Sequence, residues 1–157
     1  LLLGGGQEQG RRSSTQNVAG AVGLAKAIEL CDQKMSKEIA FQTRLRDKLL
    51  KEVPKTIGGV KVNGSLSRRL PNNAHFAFER LQSEALLMGL DMVNIAASMG
   101  SACTSGALKA SHVLRAIGLS DELAYGALRI TLGRWTTEEQ VDYFLEQLPG
   151  LVKSLRI

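Results

Sequence analysis

Residues 17–53 read NVAGAVGLAKAIELCDQKMSKEIAFQTRLRDKLLKEV and carry the longest periodic pattern in the chain. Apolar side chains recur mostly every third or fourth residue, at positions 24, 28, 31, 35, 39, 45 and 49. This spacing predicts one long helix, or a kinked pair of helices, that bridges two domains and ends at Pro54. Cys31 lies on the same stripe, and we expect it to pack in the core as a small apolar residue.

Short strands and helices follow the long helix. The pattern predicts strands at residues 60–62, 73–78, 93–97 and 127–132, and helices at 83–90, 111–117 and 136 to about 155. In the second strand, alternation places Phe76 and Phe78 on one face and His75 on the other. We expect His75 to be solvent-exposed or covered by a helix, and not to be a ligand. The elements predict a small α/β domain of the α+β type, with a three- or four-stranded sheet covered on one face by helices.

Polar side chains mark where two of these helices begin. The hydroxyl residues 13–15 are all able N-caps for the long helix. Thr136 and Glu139 have the spacing of a capping box for the last helix, which we expect Pro149 to perturb.

The composition is ordinary for a globular protein, with 157 residues of which 44% are hydrophobic and 22% charged. This length allows one domain with a core, or a small domain with part of another. The net charge of +5 comes from scattered side chains, and no aromatic residues interleave with the basic pairs at 11–12 and 68–69. We therefore predict no nucleic-acid partner, and the basic excess could equally serve an anionic cofactor or an acidic partner protein.

The two cysteines and two histidines do not have the spacing of zinc ligands, so no metal site is predicted. Sparse cysteine is typical of a reducing cytosol, which predicts a cytoplasmic location. No apolar run approaches the ~18 residues of a membrane span, and no signal peptide is recognised. The chain begins LLLGGG without methionine, and we expect it to be part of a longer protein.

Residues 98–106, SMGSACTSG, present Cys103 among small side chains just before a predicted helix. Gly100 and Gly106 give the backbone freedom at both ends of this segment. We expect a nucleophilic thiol on a mobile arm, because such a thiol must reach a reaction centre and then a partner. The alternative is an inert buried cysteine, which the neighbouring serine and threonine disfavour.

The first fifteen residues, LLLGGGQEQGRRSST, form a glycine-rich segment that is not a P-loop, because no Gly-Lys-Ser/Thr follows the glycines. Backbone N–H groups, hydroxyls and two arginines at a helix N-terminus can hold a phosphate. A plain connecting turn with a good helix cap is the equal alternative.

Arg129 lies in an otherwise apolar predicted strand, between Leu128 and Ile130. A guanidinium in such surroundings needs an anionic partner, and a carboxylate held by two hydrogen bonds is the simplest one. An internal salt bridge explains the residue equally well. A thiol, a carboxylate-binding arginine and a phosphate-binding helix start together fit sulfur transfer from an amino acid bound to a phosphorylated cofactor, as one hypothesis among several.

Four segments of the chain resemble a known family. They are GGGQEQGRRSSTQNVAG at 4–20, NIAASMGSACTSGAL at 94–108, SHVLRAIGLSDELA at 111–124 and LRITLGRWTTEEQVDYF at 128–144. Together they are similar to the C-terminal part of cysteine desulfurases, the pyridoxal-phosphate enzymes of the class-V aminotransferase group. The resemblance implies a fold-type I transferase whose small C-terminal domain has a mostly antiparallel sheet covered by helices. It places residues 1–16 at the end of the large cofactor domain, 17–53 in a connecting helix and 54–157 in the small domain.

The resemblance also implies a reaction. L-cysteine reacts with pyridoxal phosphate, the Cys103 thiolate takes the substrate sulfur as a persulfide, and L-alanine leaves. Arg129 would bind the substrate carboxylate. Thr15 would reach the cofactor phosphate of the neighbouring subunit in a homodimer, with Ser13 and Arg12 near it. The sulfur would pass to an acceptor protein such as an iron–sulfur scaffold, or to tRNA thiolation.

The chain departs from the family pattern in several places. The lysine that binds the cofactor, the histidine over its ring and the aspartate at its pyridine nitrogen all lie upstream in the family, and none is in this chain. Gln9 replaces a common arginine, Ser14 a usual glycine, and Lys109-Ala110 a common Glu-Pro. We therefore expect these 157 residues alone to be inactive. A non-catalytic persulfide carrier or partner-docking module of the same fold, and a selenocysteine lyase, are the alternative functions.

Overall fold

The computed structural model describes residues 2–99 and 110–156. A turn of 3-10 helix at Gln7–Gly10 precedes the elements α1 Val18–Thr56, β1 Val60–Val62, β2 Asn73–Phe78, α2 Ser83–Met92, α3 His112–Ala116, α4 Asp121–Tyr125, β3 Ala127–Thr131 and α5 Glu138–Leu155. Residue contacts divide the chain into two compact units, Leu1–Lys37 and Glu38–Ile157. The segment that contains Cys103 lies outside the described residues.

The second unit is built on a three-stranded antiparallel sheet of order β1-β2-β3. β2 is central because it pairs with β1 along one edge and with β3 along the other. Its side chains alternate between the two faces of the sheet. Ala74, Phe76 and Phe78 are fully buried on one face, where side chains of α1, α2 and α5 complete the main core. The predicted α+β domain with a small antiparallel sheet is confirmed, but helices pack on both faces of the sheet and not on one face as expected.

The opposite face of the sheet carries a second, smaller core. Ala77 of β2 and Ala127 of β3 are register partners and pack with Leu114, Leu119 and Ala124 from the region of α3 and α4. Small alanine side chains let these short helices approach the strands closely. The one-turn helix α4 follows its N-cap Ser120, whose side chain accepts a hydrogen bond from the Leu123 N–H.

Helix α1 is one continuous helix that extends past its predicted end at Pro54. A proline in the last turn removes only one backbone donor, so two further residues stay helical. The Thr56 hydroxyl donates to the Glu52 carbonyl (2.9 Å), which satisfies an acceptor near this helix end.

Cys31 is exposed, so the prediction that it packs in the core is wrong. Other members of the same stripe are also exposed, with Ile28 at 61% and Met35 at 50% of their full surface. Within the unit Leu1–Lys37, the only other described element is the 3-10 turn, which gives this stripe no apolar surface to pack against. The stripe becomes buried only farther along, at Leu45 and Leu49.

The strand expected at 93–97 does not form. The backbone of Asn94 is left-handed (φ 60°), which interrupts an extended chain. The N–H groups of Asn94 and Ile95 donate back to Asp91 and Leu90 at the end of α2, so this segment closes the helix. Only Ser98 pairs with the sheet, through an isolated bridge to Arg129.

Two helix starts differ from the expected caps by a few residues. Asn17 Oδ1 accepts the Gly20 N–H (2.9 Å) at the start of α1, in place of the hydroxyl residues 13–15. The capping box of α5 is Thr137 with Gln140. The Thr136 hydroxyl instead accepts the N–H of Gly133 in the preceding turn (2.9 Å). Pro149 lies inside a continuous α5.

Gly126 fixes the approach of β3 to β2. A Cβ at this position would lie 2.1 Å from the Phe78 carbonyl oxygen and 3.1 Å from that of Leu81. We expect Gly126→Ala to lower the free energy of unfolding by about 2–4 kcal/mol, because the backbone at Phe78 or at residue 126 must shift to make room for the methyl group. In urea denaturation, the matched Gly150→Ala in α5, where a Cβ meets nothing within 4 Å, should be neutral or raise stability by up to about 1 kcal/mol. Equal effects of the two substitutions would show that Gly126 is not constrained.

The start of α5 is linked to α1 by charge. The Glu138 carboxylate accepts hydrogen bonds from Arg44 (2.7 Å) and Lys48 (3.2 Å), and these contacts lower its pKa, the Arg44 contact most. A carboxylate whose pKa is lowered by folding stabilises the folded chain at pH values above its pKa in the unfolded chain, which is about 4 to 5. This stabilisation is lost as the pH falls through the pKa of the folded chain.

We therefore expect Glu138→Gln to destabilise the chain at pH 7 and to have less effect at pH 3, in urea unfolding at both values. The control places the same substitution in an Arg44→Met, Lys48→Met background, where its effect should no longer depend on pH. A pH dependence that persists in this background would contradict the assignment.

Candidate functional site

A row of polar side chains crosses the sheet on the face opposite Phe76. His75 of β2 is the register partner of Arg129 of β3. Asn63 follows β1 and donates its N–H to the His75 carbonyl (2.8 Å). Ser98 pairs with Arg129 from the other side. Because partners in register share a face, we call Asn63, His75, Arg129 and Ser98 the polar row.

Arg129 is held to Ser98 through both backbone and side chain. The Arg129 N–H donates to the Ser98 carbonyl (2.6 Å), and the Ser98 N–H donates to the Arg129 carbonyl (3.2 Å). The Arg129 Nη2 group also donates to the Ser98 hydroxyl (3.3 Å). Ser98 begins the stretch predicted to carry Cys103, so the half-buried Arg129 lies beside the described start of that stretch.

His75 is on the face predicted for it and is half-buried there. Asn63 Nδ2 lies 2.9 Å from His75 Nδ1. Because an amide NH₂ only donates, Nδ1 is the acceptor and the ring proton is on Nε2. Burial, chiefly, and the positive charges of Arg129 and Arg69 lower the pKa of His75. His75 is therefore neutral at pH 7.

The surroundings of the polar row are positively charged. Arg69 donates to the backbone carbonyls of Asn63, Ser65 and Asn73, and burial together with the charge of Arg46 lowers its pKa. Asn63 is 4% exposed, and its Oδ1 meets no hydrogen-bond donor within residues 2–99 and 110–156. The positive charges of Arg69 and Arg129 therefore favour an anionic ligand near this face electrostatically, whereas the acceptor Asn63 Oδ1 does not add to that preference.

The predicted phosphate-binding residues lie in the first unit and differ in their contacts. The Ser13 hydroxyl donates to the Leu3 carbonyl (3.0 Å) and is nearly buried. Arg12 Nη1 donates to the carbonyls of residues 13–15, and its guanidinium lies 3.6 Å from the Glu8 carboxylate. Thr15 is exposed and, in the described part of the chain, its hydroxyl makes no hydrogen bond. Ser13 and Arg12 therefore hold this segment together, while Thr15 faces solvent.

Sequence reasoning identified Arg129 but missed its neighbours in the row. Asn63 follows a three-residue strand, and nothing in its local pattern indicates burial. Alternation placed His75 on the correct face but did not indicate which residues it contacts.

Among the residues that the structure describes, no group of three or more His, Cys, Asp or Glu could hold a metal ion. None of the described helices has the length and apolar character that crossing a membrane requires.

Comparisons with known proteins agree on one family. The sequence model of the family described as aminotransferase class-V matches residues 5–144. Cysteine desulfurase IscS of Clostridium botulinum (strain Hall) is 50% identical over 158 residues, covering 99% of this chain and 40% of the relative. A cysteine desulfurase of Nostoc sp. is 47% identical over 156 residues, covering 99% of this chain and 39% of the relative. The chain thus spans about 40% of the length of the curated relatives it matches.

Solved structures give the same result. A NifS-like protein matches with a TM-score of 0.81 and 35% identity, over 99% of this chain and 39% of that one. A NifS-like protein from Rickettsia africae matches with a TM-score of 0.79 and 28% identity, over 98% of this chain and 39% of that one. The family predicted from the sequence is confirmed: the chain belongs to the aminotransferase class-V family.

Proposed function

We propose that the chain is the C-terminal part of a cysteine desulfurase, which removes sulfur from L-cysteine to give L-alanine and a persulfide on Cys103. The relatives with that name at 47% to 50% identity support this proposal. The structural observation that carries it is the pairing of Arg129 with Ser98. This pairing supports the proposal because it puts the guanidinium that we propose to bind the carboxylate next to the start of the stretch that bears the thiol.

Arg129 binds the substrate carboxylate in this proposal. Its guanidinium is half-buried on a positively charged face, across the strand pair from a neutral histidine. The planar fork of an arginine matches a carboxylate with two parallel hydrogen bonds, and partial burial strengthens them.

Cys103 is the nucleophile. Its thiolate attacks the substrate sulfur, so that an S–S bond forms while the bond between the substrate sulfur and carbon breaks. The electron pair of that bond stays with the carbon, which takes up a proton and becomes the methyl group of alanine. Pyridoxal phosphate, when bound, supplies the electron sink for this chemistry.

The residues of the first unit fit the phosphate of that cofactor in part. Thr15 is exposed, and its hydroxyl makes no hydrogen bond to residues 2–99 or 110–156. It lies three residues before Val18, the first residue of α1, where N–H groups and the helix dipole favour an anion. We propose Thr15 as the phosphate contact to the neighbouring subunit of a homodimer. Ser13 and Arg12 shape the segment around it, because their side chains bind its carbonyls.

The domain assignment follows from this proposal. Residues 1–16 complete the large cofactor domain, 17–53 connect the domains as the first part of α1, and 54–157 form the small domain. The lysine that holds the cofactor comes from the part of the desulfurase fold that this chain does not cover. The remaining proposals are a cytoplasmic location, L-cysteine as the substrate and an iron–sulfur scaffold or another sulfur acceptor as the partner.

Persulfide formation tests the nucleophile. We expect the intact protein loaded with pyridoxal phosphate to gain one sulfur atom on Cys103 after addition of L-cysteine, as measured by peptide mass spectrometry after alkylation. Cys103→Ser should lose the adduct and alanine production, whereas Cys31→Ser should keep both. Alanine release without an adduct on Cys103 would refute its role. Sulfur that reaches Cys103 only when a separate desulfurase is added would favour the carrier function.

Substrate binding tests Arg129. We expect Arg129→Ala to raise the KM for L-cysteine by about 10- to 100-fold, because a charged hydrogen-bond pair is lost, with a smaller effect on kcat. Arg129→Lys should give a KM between those of the wild type and Arg129→Ala, since lysine keeps the positive charge but cannot make two parallel hydrogen bonds to a carboxylate. Arg134→Ala is the matched control, because Arg134 contacts Glu38 (2.5 Å) away from the polar row. An unchanged KM in Arg129→Ala would make Arg129 structural.

A further inference from the structure

His75 takes no part in the sulfur chemistry proposed above, yet it lies closest to Arg129 across the sheet. The backbone N–H and carbonyl of Arg129 both bond to Ser98, so they point away from β2. His75 and Arg129 therefore form a non-hydrogen-bonded antiparallel pair, the type in which opposite side chains approach most closely. The imidazole therefore lies next to the first atoms of the Arg129 side chain.

The imidazole is itself held in place. Asn63 is nearly fully buried and donates its side-chain N–H to His75 Nδ1 (2.9 Å). Its backbone N–H bonds to the His75 carbonyl (2.8 Å). The orientation of the ring is therefore set from the side away from Arg129, and the positive charge of Arg129, the register partner of His75, lies near enough to lower the pKa of the ring.

We propose that His75, oriented by Asn63, is a positioning residue that holds the Arg129 guanidinium ready for the substrate carboxylate. The proposal rests on the proposed function. A side chain already in its binding geometry loses less freedom when the ligand arrives, so the benefit appears as substrate affinity. The ring of His75 must be neutral for this role, because a protonated ring would repel the guanidinium of Arg129. The positive charge of Arg69 also disfavours the protonated ring.

Steady-state kinetics of the intact protein with pyridoxal phosphate provide the first test. We expect His75→Leu to raise the KM for L-cysteine about fivefold to tenfold with kcat changed less than about twofold. Asn63→Ala should act in the same direction. His75→Gln should restore most of the affinity, because its amide oxygen can accept from Asn63. His112→Asn is the control at an exposed histidine.

A double-mutant cycle separates positioning from general damage. If His75 acts through Arg129, His75→Leu should leave KM unchanged in an Arg129→Ala background. Equal effects in both backgrounds, or a fall in kcat without a change in KM, would overturn the inference. Thermal unfolding of each variant shows that the protein compared is folded.

Nitrogen NMR of the histidine rings provides a readout that needs no activity. The chain has two histidines, so His112→Asn identifies the signals of His75. We expect His75 to be neutral at pH 7 with its proton on Nε2, and Arg129→Ala to raise its pKa, because the coupling between the two groups is reciprocal. Arg134→Ala should not move it. If the pKa of His75 does not change in Arg129→Ala, the inferred interaction between His75 and Arg129 is overturned. If the pKa changes as expected but the intact protein produces no alanine, only the proposed function is contradicted.

Discussion

The alternation of side chains along β2 is the constraint on which the second unit depends. Phe76 and Phe78 need an apolar cover, and the helices α1, α2 and α5 supply it on one side. Since the period of a strand is two, the same choice sends His75 and Ala77 to the other side. A slip of one residue in the pairing of β2 would move the phenylalanines out of the main core and move the histidine into it. The register of the sheet therefore also determines the location of the polar row.

The two cores stabilise this unit to different extents. The larger one contains the aromatic and leucine side chains, whose burial supplies most of the hydrophobic stabilisation. The smaller one is made mainly of alanines and brings short helices against the strands. The ion pairs of Glu138 are exposed at the surface and contribute less, because water screens them. The polar row occupies the part of the second face that the alanine core leaves uncovered.

Local patterns predicted the strands 73–78 and 127–132, the second one residue longer than observed, and the long helix, because alternation and helical spacing are properties of a single segment. Cys31 was misplaced because periodicity identifies which side of a helix is apolar, not whether anything covers it. The apolar residues 93–97 fit a strand or a helix end equally well, and the left-handed backbone of Asn94 decided between them. That Arg129 has an anionic partner, a ligand carboxylate or an internal acid, was predictable from its apolar neighbours and stays a prediction. Its contact with Ser98 was not predictable, because that depends on pairing between segments far apart in sequence.

The exposed thiol of Cys31 has a consequence for work with the purified protein. When dissolved oxygen accepts the two electrons and no reductant is present, a solvent-accessible cysteine on a helix can form a disulfide with the same residue of a second chain. Such a covalent dimer needs only two helices to meet, without any complementary surface between them. Oxidised preparations would then contain a dimer whose geometry is set by one sulfur–sulfur bond, distinct from any dimer formed by packing of subunits.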